Sequence, residues 1–120
     1  MANEFAGKIF ELIKQGKRKE AERLVKQAIA IEPETAGDYL KRGIGYSYSG
    51  GMEATLADYQ KAVEFDPDNI DARLRLGGML LMLKQHRKVL EEYEEIIRLE
   101  PDNPQGHRFK VTALVELEGD

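Results

Sequence analysis

Residues 39–69, YLKRGIGYSYSGGMEATLADYQKAVEFDPDN, form one complete helix–turn–helix unit. Tyr39, Gly43 and Tyr46 recur at helical spacing, Gly50-Gly51 interrupts them, and Leu56, Tyr59, Ala62, Val63 and Phe65 resume the pattern. Pro67 then closes the second helix, because its nitrogen cannot donate to the helix ladder and its ring restricts the residue before it. The same closing turn recurs as Glu32-Pro33-Glu34, Asp66-Pro67-Asp68 and Glu100-Pro101-Asp102, a step of 34 residues. A fixed period of that size marks helical hairpins, each unable to bury its apolar face alone and therefore stacked on the next.

Upstream, Phe5, Ile9, Leu12 and Ile13 give a first helix; Gly16 breaks the pattern, and Ala21, Leu24, Val25, Ala28 and Ile29 give a second, ended by Pro33. Downstream, Leu76, Gly77 and Leu80 are followed by a turn without glycine at Lys84-Gln85, then by Val89, Leu90, Tyr93, Ile96, Ile97 and Leu99. Thr35, Asn69 and Asn103 are the expected N-caps, and Pro104 falls at a first helical position, where its missing N–H does no harm. One further helix fits, with His107, Val111, Leu114 and Val115 as its expected packing stripe and Lys110, Glu116, Glu118 and Asp120 in solvent. The expected fold is all-α: a right-handed α-solenoid forming a single domain, 1–120, of three hairpins (about 2–35, 36–69 and 70–103) with a C-terminal capping helix over about 104–117.

Composition narrows the function. A net charge of -4 argues against nucleic acid, whose phosphates require clustered Lys and Arg on one face. There is no cysteine, hence no thiolate nucleophile, thiolate metal site or disulfide. The longest apolar run, Leu76 to Leu83, is far shorter than the ~20 residues of a membrane span, and MANEFAGKIF has no secretory pattern, which makes a cytoplasmic protein the expectation. His86 and His107 are the only histidines and do not suffice for a metal site, and Glu91, Glu92, Glu94 and Glu95 read as a solvated helix face. Gly43-x-Gly45 lies within a helix and cradles no phosphate. No nucleophile, base and orienter are grouped, so no enzyme and no cofactor is implied. The charge is uneven: seven basic residues face five acidic ones through Pro33, with Lys14, Lys17, Arg18, Lys19, Arg23 and Lys26 forming a cluster suited to an acidic partner.

In the 34-residue register the columns are Phe5/Tyr39/Arg73, Ile9/Gly43/Gly77, Leu12/Tyr46/Leu80, Ala21/Thr55/Val89, Val25/Tyr59/Tyr93, Ala28/Ala62/Ile96 and Pro33/Pro67/Pro101. This resembles the tetratricopeptide repeat over essentially the whole chain, most closely in the second hairpin. Ile9, Val89 and Ile96 depart from the small residues of the pattern, and Lys8 and Arg42 stand where the family favours leucine.

The resemblance implies a concave groove lined by the first helices, with the second helices on the convex back. Its columns are Ala6/Leu40/Leu74, Phe10/Ile44/Gly78 and Ile13/Ser47/Leu81, flanked by Tyr48 and Met82. One branch of the family holds the C-terminal tail of a heat-shock chaperone in a carboxylate clamp; at those positions this chain has Ala6, Phe10, Lys41, Asp71 and Arg75, of which only Arg75 matches. The expected role is therefore a non-enzymatic interaction module for a peptide or helical segment of a partner protein. Apolar anchors would enter between Phe10, Ile13, Leu40, Ile44, Tyr48, Leu74, Leu81 and Met82, with Lys41 and Arg75 setting direction. The alternative is a self-associating scaffold, a homo-oligomer formed through the apolar groove or the terminal helix.

Overall fold

The computed structural model describes residues 2–119 of the 120. Among them are seven helices and no strand: α1 (Ala2–Lys14), α2 (Arg18–Ile29), α3 (Ala36–Tyr48), α4 (Met52–Phe65), α5 (Ile70–Met82), α6 (His86–Leu99) and α7 (Pro104–Gly119). Two compact units divide the chain, Met1–Asp66 with α1 to α4 and Pro67–Asp120 with α5 to α7.

Side chains start α3, α5 and α7. Thr35 Oγ1 accepts the Asp38 N–H at 3.1 Å while Asp38 Oδ2 accepts the Glu34 N–H at 3.0 Å, a reciprocal cap. Asn69 Oδ1 accepts the Ala72 N–H at 3.0 Å, and Asn103 Oδ1 accepts from Gln105 and Gly106 at 2.9 and 3.3 Å. The hairpin turns have a different requirement. Each needs one residue with positive φ, met by Gly16 (78°), Gly50 (82°) and Lys84 (58°), positions that follow the 34-residue step.

In the first unit α3 is the central helix, packed against α1, α2 and α4. Gly43 lets α4 approach so closely that a Cβ there would lie 2.7 Å from the Tyr59 ring, and Gly45 does the same toward Ala28 at 2.9 Å. Ile9, Ala21, Ala28, Leu40, Ile44, Tyr59 and Ala62 fill the core. Leu40 and Ile44, expected on an open wall, are only 2% and 1% exposed and are unavailable to a ligand. The reason is that α3 packs on α1 as well as on its hairpin partner α4 and the preceding α2, so this stripe is consumed by the chain itself. Arg42, in the column where leucine was expected, bonds Asp58 in bidentate fashion (Nε to Oδ2 2.9 Å, Nη2 to Oδ1 2.8 Å). The rings of Tyr39 and Tyr46 lie 5.6 and 5.9 Å from the guanidinium carbon. The hydrogen bond to Asp58 is the main cause of a raised Arg42 pKa.

In the second unit α6 packs against α5 and α7. A Cβ at Gly77 would fall 2.7 Å from Tyr93 Cζ, repeating the Gly43 contact one period later. Val89 and Ile96, like Ile9 in the first unit, are fully buried. Tyr93 stacks on Phe109 at 4.8 Å, which sets the face by which α7 docks. That face consists of Gly106, Phe109, Ala113 and Leu117, so the expected stripe of His107, Val111, Leu114 and Val115 is corrected: all four of those residues are exposed. Small residues decide the matter, since Ala113 is fully buried and a Cβ on Gly106 would meet Ile96 at 3.1 Å.

Two stability measurements follow from these features. Lys84→Gly should stabilise the chain by about 0.5–1 kcal/mol in urea unfolding, because a side chain in the left-handed region carries strain that glycine lacks. Asp58→Ala should cost about 2–3 kcal/mol by stranding a half-buried guanidinium, while the double replacement Arg42→Leu with Asp58→Leu should recover most of it.

Candidate functional site

The clearest concavity lies wholly within the first unit. It is a cavity of about 550 Å³ lined by Ile13 of α1, six residues of α2 from Arg18 to Ile29, and Tyr48 and Ser49 at the end of α3. Helical spacing explains the α2 contribution: Arg18, Glu22, Val25 and Ile29 fall at i, i+4, i+7 and i+11 and share a face. The floor is apolar, from Ile13, Ala21, Val25, Ile29 and the Tyr48 ring. The rim is charged, with Arg18 and Lys26 against the single carboxylate of Glu22. Ile13 and Tyr48 retain roughly two fifths or more of their surface exposed, which leaves apolar area for a ligand to cover.

Of the residues expected from sequence, the structure brings Ile13 and Tyr48 together here. Phe10 is exposed one turn earlier on α1, and Lys41 is half-buried with no ion pair among the described residues. The other four lie on α5 in the second unit. Leu74 and Leu81 are half-buried, and Met82 is 67% exposed. Arg75 donates from Nε to Asp71 Oδ1 at 3.0 Å, so its charge is partly spent within its own helix. Sequence reasoning missed the share of α2, whose apolar residues it assigned to core and whose Arg18 and Lys26 it treated as a separate basic cluster. The signal was present in the alternation of charge and apolarity along one α2 face.

Several polar groups elsewhere are paired within the fold. Among the described residues no group of three or more His, Asp or Glu is placed to hold a metal. In the acidic run of α6, Glu92 takes a hydrogen bond from Arg73 Nη1 at 2.9 Å and Glu95 pairs with Arg98. Burial pushes the Glu92 carboxyl above the usual carboxylate range and outweighs the opposing pull of Arg73. His107 Nε2 lies 2.6 Å from the Pro101 carbonyl oxygen, fixing the last inter-helix turn.

Paired helices with alternating close and bulky columns, and a ligand-sized apolar depression between them, define the class of helical-hairpin scaffolds. The tetratricopeptide repeat model matches residues 49–111, just over half of the sequence, and the chain belongs to that family. Hsp70-Hsp90 organizing protein 1 of Glycine max is 33% identical over 103 residues, which cover 86% of this chain and 18% of the relative. The chain spans less than a fifth of the length of the curated relatives it matches. The first tetratricopeptide domain of Spaghetti (RPAP3), solved bound to the HSP90 peptide SRMEEVD, superposes with a TM-score of 0.72 at 21% identity, covering 98% of this chain and 93% of that one. The Sgt2 domain of Aspergillus fumigatus gives 0.71 at 24% identity, with 98% and 79% covered. These likenesses establish the fold.

Glu92 supplies a pH test of the second unit. Its folded pKa is raised, so the folded chain holds this proton more tightly than the unfolded chain. The stabilising contribution is complete below the unfolded value and is lost as pH rises through the folded one. The stability of the wild type relative to Glu92→Gln should therefore fall in urea unfolding as pH rises above the ordinary glutamate range; a rise would contradict the assignment.

Proposed function

We propose that the chain is a non-enzymatic interaction module that captures an acidic peptide segment of a partner protein at the first-unit cavity. The observation that carries this reading is the coincidence of an apolar floor with a basic rim in one depression. An aliphatic or aromatic side chain of the peptide enters between Ile13, Val25, Ile29 and Tyr48, and its carboxylates meet Arg18 and Lys26. The surrounding Lys14, Lys17, Lys19 and Arg23 add a positive field that attracts such a segment before contact. Phe10 extends the apolar surface along α1, and Lys41 offers a further charge on α3.

The related Spaghetti domain was solved with an acidic peptide, which supports the ligand class. The clamp positions supply only Arg75, so the mode of holding proposed here is different: an anchor side chain in a cavity instead of a terminal carboxylate in a ring of donors. A cytoplasmic setting accompanies this reading, and no described helix is long and apolar enough to cross a membrane.

A peptide-display selection on the wild type tests the proposal. Enriched peptides should carry two or more carboxylates beside a large apolar residue. Their affinity should drop at least about tenfold when Arg18→Glu and Lys26→Glu are combined, and should weaken with added salt. Enrichment of neutral or basic peptides, or unchanged affinity in that variant with helicity intact, would overturn it.

A further inference from the structure

On α7 the apolar face turned away from α6 has no covering element among the described residues. Val111 and Val115 are each 60% exposed and Leu114 39%. Register explains why this face is apolar. Val111 stands 34 residues after Gly77 and 68 after Gly43, and Leu114 follows Leu80 and Tyr46 in the same way. At those earlier positions α3 receives α4, and α5 receives α6, against the rings of Tyr59 and Tyr93. The α7 face is thus built to receive a helix.

The charges along α7 indicate which helix. Its first half is basic, with His107, Arg108 and Lys110, and its second half acidic, with Glu116 and Glu118. Arg108 and Glu118 are exposed and border the apolar face on its two ends, ten residues and about 15 Å apart along the axis. Val111 and Val115 lie symmetrically about Ala113, and so do Arg108 and Glu118. A helix with this pattern is complementary to itself when reversed.

We propose that α7 is a homodimerisation helix, pairing antiparallel with α7 of a second copy about a two-fold axis level with Ala113. In that arrangement Val111 meets the partner's Val115, Leu114 packs beside its own mate near the axis, and Arg108 faces the partner's Glu118 at both ends. A parallel pair would set Arg108 against the partner's Arg108 and Glu118 against the partner's Glu118, so the charges select direction. The apolar contact comprises three side chains from each copy, and the dimer is accordingly a weak one.

Sedimentation equilibrium of the full chain at several concentrations reads this directly. The wild type should show a reversible monomer–dimer equilibrium. Arg108→Glu alone and Glu118→Arg alone should each remain monomeric at about five times the wild-type dissociation constant. Mixing those two variants should restore association to within about twofold of the wild type, because every end contact then joins opposite charges. Both side chains are exposed, so helicity should be unchanged in all samples, and circular dichroism controls for it. A wild type that stays monomeric near 1 mM would overturn the proposal in favour of a different helix as occupant. A dimer indifferent to both charge reversals, or a mixture that fails to associate, would overturn it as well.

Discussion

Two contacts set the spacing of the paired helices within the second and third hairpins: Gly43 against Tyr59 and Gly77 against Tyr93. In each, a tyrosine ring of the second helix occupies the volume that a methyl group on the first helix would need. Glycine inside a helix weakens it by about 1 kcal/mol relative to alanine, and burying a large ring against the bare backbone more than offsets that loss. Once the two axes are this close, the remaining columns have little freedom. Thr55 and Ala62 on α4, and Val89 and Ile96 on α6, are sealed because they share the inward face with the tyrosine.

Features determined by a few neighbouring residues were legible in the sequence. The prolines at 33, 67 and 101 mark the hairpin boundaries, and the Thr35, Asn69 and Asn103 caps depend on the three residues that follow each of them. Features that depend on how many neighbours a helix acquires were not legible. Leu40 and Ile44 look identical in periodicity whether their side of α3 meets solvent or α1. On α7 two apolar stripes run along opposite sides, and only the small residues Gly106 and Ala113 distinguish the docked one. The Arg42–Asp58 pair spans sixteen residues, and no local rule announces it.

The site was legible in part for the same reason. Ile13 and Tyr48 were found because they are apolar at positions the hairpin core does not need. Val25 and Ile29 were assigned to the interior, yet they turn one edge toward the cavity. Charge division within the chain acquires a physical meaning here: the excess of basic residues before Pro33 coincides with the cavity, while the acidic remainder surrounds paired or solvated helix faces. Family membership and cavity thus bear on different questions, the first on how the backbone is arranged and the second on what chemistry its surface offers.

The stacking of Tyr93 on Phe109 has a practical side. With no tryptophan in the chain, five tyrosines carry its near-ultraviolet signal, and Tyr93 is the one in direct ring contact with α7. Its buried hydroxyl has no hydrogen-bond partner among the described residues, and burial pushes its pKa up to about 12. The chain therefore contains an intrinsic chromophore whose ellipticity and alkaline absorbance report whether the last helix is seated, without any dye or engineered probe.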